Sequence, residues 1–514
     1  MRWFRTVITA LLLMALLATL ASAQTPRRLV TVEFTGWEQL QGLASRGLQI
    51  LNYQDGVLAA LASDEQVSRL RSEGGVVRLL DAEPDTDSYY LAYVPAGMGD
   101  EALDGLVHYP YQAGIEIVRA SALDLERLPT LGIGLVKLPR AMKIPRGDRA
   151  RQMVEQSRLG YSGSIQTMVD AVSSASLVGH VCKLQDDDQQ AYCNALGTRY
   201  SYATAGLTEA ADYIRGQLSG YGLTVSSDPF SFNGYPMVNV VAELPGTGPN
   251  SNHIVVLCAH FDSTSRTPFI AAPGADDNAS GSAGVLEAAR IFSQRTFDRT
   301  IRFVLFSGEE QGLIGSAHYA SAAAARGDVI DGVINLDMIG YESVPPGDHI
   351  VEVHAGLDPA SIALADALIA NVAEYGVQLQ VQKLTSGATN RSDHASFWNV
   401  GYPAVLGIED FDDFNPYYHS TSDTLSNMQT LLMVEFTRVC VATVAELAGE
   451  WTTTLPTVSA TQTCRPTATE TYTPTATSSH TPTATATYTA TATPTATPTT
   501  VVPTTALFLP LVRR

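Results

Sequence analysis

The chain has 514 residues, a formal net charge of −20 and 45% hydrophobic residues. That length allows about three domains at about 150 residues each. The acidic balance argues against a nucleic-acid or anionic-membrane surface, since both require basic patches.

The first residues carry the pattern of a secretory signal. Arg2 and Arg5 give a positive start, Thr6 to Leu20 is apolar, and Ala21-Ser22-Ala23 is a small-residue cleavage site. The apolar run is short for a bilayer. Cleavage after Ala23 is therefore expected, leaving a secreted or extracellular protein with no stable membrane span.

Residues 24–145 alternate strand-like and helix-like stretches: strands at Leu29–Phe34, Leu48–Tyr53, Val57–Ala62 and Val76–Leu80, helices at Trp37–Arg46 and Asp64–Gly74. A comparable unit runs from Tyr89 to Leu138. The pattern predicts two small α+β units, similar to the ferredoxin-like propeptides of secreted peptidases. They hold no cluster of His, Asp or Glu. The basic run from Lys143 to Arg151 reads equally as a processing linker or a solvated turn.

Residues 150–450 read as α/β. Strands are expected at Val238–Glu243, His253–Ala259, Thr300–Phe306, Val333–Leu336, Ile350–His354 and Ala404–Ile408. Helices are expected at Glu209–Gly220 (capped by Thr208), Ala283–Ser293, Ile314–Ala325, Pro359–Tyr375 and Met428–Ala448. Short, nearly continuous apolar strands between helices predict a mostly parallel central sheet covered on both faces. In such sheets, sites lie beyond the carboxyl ends of the strands.

Of five cysteines, Cys182 and Cys193 flank a short polar loop and suit pairing in an oxidising compartment; Cys258 reads as buried. No CxxC pair occurs, which argues against a thiolate zinc site. Residues 451–505 are a Thr/Pro-rich stalk unable to bury a core. Residues 506–514 form a short apolar tail, read as a surface-sorting element or a sticky end, so cell-surface attachment through it is an expectation.

Five pieces carry the chemistry: His260-Phe261-Asp262-Ser263, the Gly-rich loop 274–281 around Asp277, Ser307-Gly308-Glu309-Glu310-Gln311-Gly312, Asn335-Leu336-Asp337, and the stretch 417–424 around His419. Oxygen and imidazole donors without thiolates suit a hydrolytic zinc site. Two ions about 3.5–4 Å apart need a carboxylate between them. Asp277 is the bridging candidate, His260 and Asp337 complete one shell, and Glu310 and His419 complete the other. Without metal these carboxylates repel one another, so a purely structural role makes little sense. Asp262 is placed to orient His260 through the second imidazole N–H. Glu309 faces a different side from Glu310 and is the candidate general base. His253, His318, His354 and His394 read as structural or surface residues.

These pieces, from about Thr198 to Gly449, resemble the M28 family of zinc peptidases, which includes secreted bacterial leucyl-type aminopeptidases. The resemblance implies two Zn²⁺ ions on His260, Asp277, Glu310, Asp337 and His419, with Glu309 catalytic and Asp262 behind His260. It also implies a cis peptide at Asp277–Asn278, and a substrate-pocket role for the stretch from Arg391 to Pro403, with Arg391 contacting substrate. Aminopeptidase action on peptides is the leading expectation. Carboxypeptidase or dipeptidase action, glutaminyl cyclisation on a single zinc, and a non-catalytic surface binding module are the alternatives.

Overall fold

Two small antiparallel sheets precede one large mixed sheet. The computed structural model describes residues 26–451, apart from 86–87, 96, 99, 146–150, 153, 156–159, 186–197 and 344–346. The stalk and tail read from the sequence lie outside the described residues, as does Cys193; Cys182 is held in a disulfide.

The first small sheet contains β1 (Arg27–Glu33), β2 (Gln49–Gln54), β3 (Val57–Ser63) and β4 (Val77–Asp81), in the order β2-β3-β1-β4. The second contains β5 (Tyr89–Tyr93), β6 (Val107–Gln112), β7 (Ile115–Arg119) and β8 (Gly134–Lys137), in the equivalent order β6-β7-β5-β8. Both have the ferredoxin-like arrangement, although a short 3₁₀ turn at Asp100–Leu103 stands where the second unit's first helix would be. Side chains alternate as strand geometry requires. Val30, Val32, Ile50 and Leu58 meet Leu40, Leu43 and Leu70 of the unit's own helices. Leu29, Leu51, Ala59 and Leu61 join Tyr89, Leu91, Ile115 and Ile117 in a different cluster, which also holds Ile254, Val256, Cys258 and Phe306 of the large sheet.

The large sheet contains β9 (Thr224–Phe232), β10 (Tyr235–Leu244), β11 (His253–His260), β12 (Thr300–Phe306), β13 (Val329–Leu336), β14 (Ile350–His354), β15 (Gln380–Leu384) and β16 (Ala404–Glu409). Their order is β15-β14-β16-β13-β11-β12-β10-β9. The centre is parallel: β11 pairs with β12 and β13, and β13 with β16. Antiparallel pairs occur at β9–β10, β10–β12 and β14–β16, so the sheet is mixed. The edge hairpin turns at Asn233-Gly234, both at positive φ, as a two-residue hairpin turn demands. Val255, Leu257 and Ala259 face the helices Gly281–Phe292 and Thr430–Ala448 on the other side.

Some elements depart from the sequence reading. The helix expected from Glu209 starts at Thr204, and Thr208 is not its cap. Its hydroxyl instead bonds back to the Thr204 carbonyl at 2.7 Å. Strands β9 and β15 and the helices Gly163–Asp170, Ser174–Leu184 and His394–Asn399 were not expected. Among the described residues, no helix is long and apolar enough to cross a membrane.

Candidate metal centre

His260 is the last residue of β11, Asp337 directly follows β13, and Glu309 and Glu310 follow β12 within a few residues. All four stand at the carboxyl ends of parallel strands. The loop bearing Asp277 reaches them through Gly274, which has φ +51° and where any Cβ would collide with the Asp277 carbonyl. The Asp277–Asn278 peptide is cis. Asp423 holds the loop from behind: its two carboxylate oxygens accept the N–H groups of Asp276 and Asp277, each at 3.0 Å. The Asn278 side chain donates to the Leu336 carbonyl at 2.9 Å, tying the loop to β13.

The expected ligand set comes together. His260 Nε2 lies 3.3 Å from Asp277 Oδ1 and 3.2 Å from Asp337 Oδ1. His419 Nε2 lies 3.2 Å from Asp277 Oδ2 and 2.9 Å from Glu310 Oε2. Asp277 thus turns one oxygen to each imidazole. Donor atoms around a tetrahedral zinc with bonds of about 2.0–2.1 Å are about 3.3 Å apart, close to the spacing found. Glu310 Oε1 is buried without a hydrogen-bond partner. The residues therefore fit metal ions of the zinc type. Glu309 also comes within 4.8 Å of His260 and Asp337.

The buried charges of the centre shift one another's affinity for protons. Burial would lower the His419 pKa, but Glu310 and Asp277 outweigh it and raise it to about 10. The same contest, won by Asp337 and Glu309 above all, holds His260 well above its usual value. Burial, reinforced by the charge of Asp277, raises Glu310 to about 7. Burial also lifts Glu309 well above the ordinary carboxylate range. Asp277 is pushed down: burial acts upward, but the hydrogen bonds from His260 and His419 prevail.

Asp262 does more than face His260. The nearest oxygen to His260 Nδ1 is the Asp262 backbone carbonyl at 3.1 Å, with carboxylate Oδ1 at 3.5 Å. The carboxylate accepts the N–H groups of Glu309 and Glu310, at 3.3 and 3.4 Å. It also accepts the Ser201 hydroxyl at 2.8 Å. It therefore anchors the turn carrying the candidate base. Sequence reasoning missed Arg199, Ser201 and Asp423. Only Asp423 carried a signal, since it lies in the same stretch as His419.

A cavity of about 40 Å³ adjoins Asp277, Glu309, Asp337 and His419. Its walls are Met338, Leu406, Ile408, Phe411, Phe414 and Tyr418, with Thr389, Arg391 and Ser392. Tyr417 does not line it and meets Tyr341 edge-on at 6.5 Å. Arg391 donates to the Tyr418 hydroxyl at 3.2 Å. The four histidines read as structural or surface residues have partners within the fold: His253 with Asp331 at 2.9 Å, His318 with Asp228 at 3.1 Å, His354 with the Thr389 N–H at 3.0 Å, and His394 with the Thr389 carbonyl at 2.9 Å.

Residues 239–444 match the model of peptidase family M28. Leucine aminopeptidase 1 of Trichophyton rubrum is 30% identical over 56% of this chain and 78% of its own length. Leupeptin-inactivating enzyme 1 of Streptomyces exfoliatus is 32% identical over 45% of this chain and 53% of its own. The LapA aminopeptidase of Legionella pneumophila has the same fold, with a TM-score of 0.53 and 23% identity over 71% of this chain and 99% of that one. The matched segment begins in β10 and ends in the last long helix, so it contains every strand end and loop that builds the centre, and the chain belongs to peptidase family M28 and is a peptidase.

Proposed function

We propose that the chain is a secreted aminopeptidase that uses two zinc ions to release apolar residues from the amino ends of peptides. The observation that carries this reading is the Asp277 carboxylate, which turns one oxygen to His260 and the other to His419. His260 and Asp337 would hold one ion, and Glu310 and His419 the other. When bound, the ions supply Lewis acidity toward the scissile carbonyl and toward water.

The remaining steps belong to the chain's own residues. Glu309 takes the proton from the attacking water and passes it to the leaving amine. Its position within 4.8 Å of His260 and Asp337 supports that role. Glu309 and Asp337 face the space a substrate ammonium would enter, and Arg391 borders the space for its carbonyl oxygen. Met338, Leu406, Ile408, Phe411 and Phe414 give the first side chain an apolar wall. Residues 24–145 act as a propeptide that assists folding or covers the site. Secretion rests on the signal pattern of residues 1–23, and the stalk and tail from 451 onward serve display at the cell surface.

A panel of peptides with free and blocked ends, combined with elemental analysis, tests the proposal. Two zinc ions per chain and stepwise release from a free amino end are expected. Release from the carboxyl end makes it a carboxypeptidase, and saturation at one zinc removes the two-ion reading.

A further inference from the structure

The segment preceding the helix Thr204–Gly220 supplies none of the expected metal ligands, yet it touches three of the loops that build the centre. Arg199 is fully buried and, among the described residues, bonds to backbone carbonyls. Its Nε donates to Phe261 at 2.7 Å, Nη1 to Pro273 at 2.6 Å and also to Leu184, and Nη2 to Gly274 at 2.8 Å. Two residues on, Ser201 is also fully buried. Its hydroxyl donates to Asp262 Oδ2 at 2.8 Å and accepts the Gly308 N–H at 2.9 Å. Asp262 in turn accepts from Glu309 and Glu310.

We propose that Ser201 is a positioning residue for the base, acting with Arg199 to hold three loops in register. Arg199 joins the loop after β11 to the loop carrying Asp277. Ser201 joins that same β11 loop to the turn after β12. The hydroxyl has a single proton, which goes to the carboxylate and leaves a lone pair for Gly308. Its orientation is therefore determined from both sides. Gly308 has φ +73°, so the turn leaves the strand sharply, and three backbone N–H bonds in succession set where Glu309 points. Losing the Ser201 oxygen removes the first of these bonds. It also leaves Asp262 with only the long bond from Glu310 on that oxygen.

This inference rests on the metallopeptidase reading, in which Glu309 moves the proton. A base displaced by about 1 Å costs on the order of 10²-fold. Ser201→Ala in the full chain should therefore lower kcat by roughly 10–100-fold on a peptide with a free amine, while KM and zinc content stay at parent values. Ser201→Thr, which keeps the hydroxyl, should recover most of the loss. A residue that merely supported packing would lower stability without this split, and threonine would not restore turnover.

Unchanged kcat in a folded Ser201→Ala chain overturns the proposal, as does an equal deficit in the alanine and threonine variants. If Ser201→Ala does not fold, Ser201→Cys takes its place: a kcat deficit at parent KM and zinc content supports the role, and parent kcat overturns it. Glu309→Gln is assayed in parallel. If it keeps turnover, the general-base reading itself fails. If it is inactive while Ser201→Ala is normal, only the present inference fails.

Discussion

The phenol ring of Tyr93 lies against the guanidinium of Arg391, with Arg391 Cζ 5.1 Å from the ring centroid. Tyr93 belongs to β5 of the second N-terminal unit, whereas Arg391 borders the cavity beside the candidate metal ligands. Tyr93 also donates to the Asn390 side chain. The backbone of Gly134 abuts the same guanidinium, and a Cβ there would come within 3.2 Å of Nη2. Arg391 passes the contact to Tyr418, whose ring stacks on His419 at 3.7 Å. The N-terminal region thus holds the arginine against one wall of a cavity far smaller than the roughly 300–1,000 Å³ of ordinary ligand sites. Cutting near Lys143–Arg151 and removing the N-terminal piece should raise turnover on peptides, and Tyr93→Ala should give part of that rise. Activity before and after limited proteolysis measures it. If the separately made domain folds equally well and the added N-terminal piece neither binds nor inhibits, the propeptide reading is wrong.

Glu309 and Glu310 are adjacent, but only Glu310 reaches His419, at 2.9 Å. Glu309→Gln should retain metal and lose about 10²–10⁴-fold in turnover, as removal of a general base does. Glu310→Gln should instead weaken one ion. Kinetics paired with metal analysis separates the two, and near-normal turnover in Glu309→Gln would sink the assigned role.

Asp277 serves both halves of the centre through its two oxygens. Asp277→Ala should therefore lower occupancy at both ions rather than one. Zinc titration of the variant against the parent provides the check. A variant that still binds one ion with parent affinity would show that the carboxylate does not bridge.

In the proposed aminopeptidase reading, Glu309 and Asp337 beside the cavity receive a positively charged substrate end. Acetylating the amine of a peptide with a large apolar first residue removes a charge-assisted contact, typically about 1.5–3 kcal/mol. Cleavage should slow by roughly tenfold or more. Equal rates for the free and acetylated peptides would defeat the aminopeptidase reading while leaving zinc hydrolysis intact.

His180, away from the centre, predicts how acid acts on stability. Burial pushes its pKa from 6.5 down to about 4, and Nδ1 sits 2.7 Å from the Tyr213 hydroxyl. Between those pH values the unfolded chain holds a proton that the folded chain lacks, so stability falls as pH drops below 6.5 and levels off near 4. The full effect is about 3 kcal/mol. His394, lowered to about 3 by burial, acts in the same direction. Thermal midpoints at pH 7 and pH 5 should differ less in His180→Gln than in the parent. An unchanged difference refutes the assignment.

Strands β11, β12, β13 and β16 were legible because both faces of each are covered, which makes them nearly continuous apolar runs. Strands β9 and β15 lie at the sheet's edges and are largely exposed, so they lack that signature. The cluster of candidate ligands was legible because carboxylates and imidazoles beyond apolar strands are costly unless charge is supplied. Ser201 and Arg199 were not, since their partners lie across the fold and nothing local distinguishes them from any loop serine or arginine. Asp262 shows the same limit: its place near His260 was readable, but the direction of its carboxylate toward the Glu309 turn was not.

The apolar cluster shared by the N-terminal sheets and the large sheet bears on the order in which the chain acquires shape. The strand pairings of β1–β4 and β5–β8 are complete at Lys137, before His260 or any later ligand has been synthesised. Domains fold from the amino end as the chain emerges. The side of the large sheet formed by Ile254, Val256, Cys258 and Phe306 is thus made in the presence of a finished apolar partner, Leu29, Leu61, Leu91 and Ile117 among it. A chain begun after residue 145 would make that side without the partner, and the exposed patch would favour association between nascent copies over closure of the sheet.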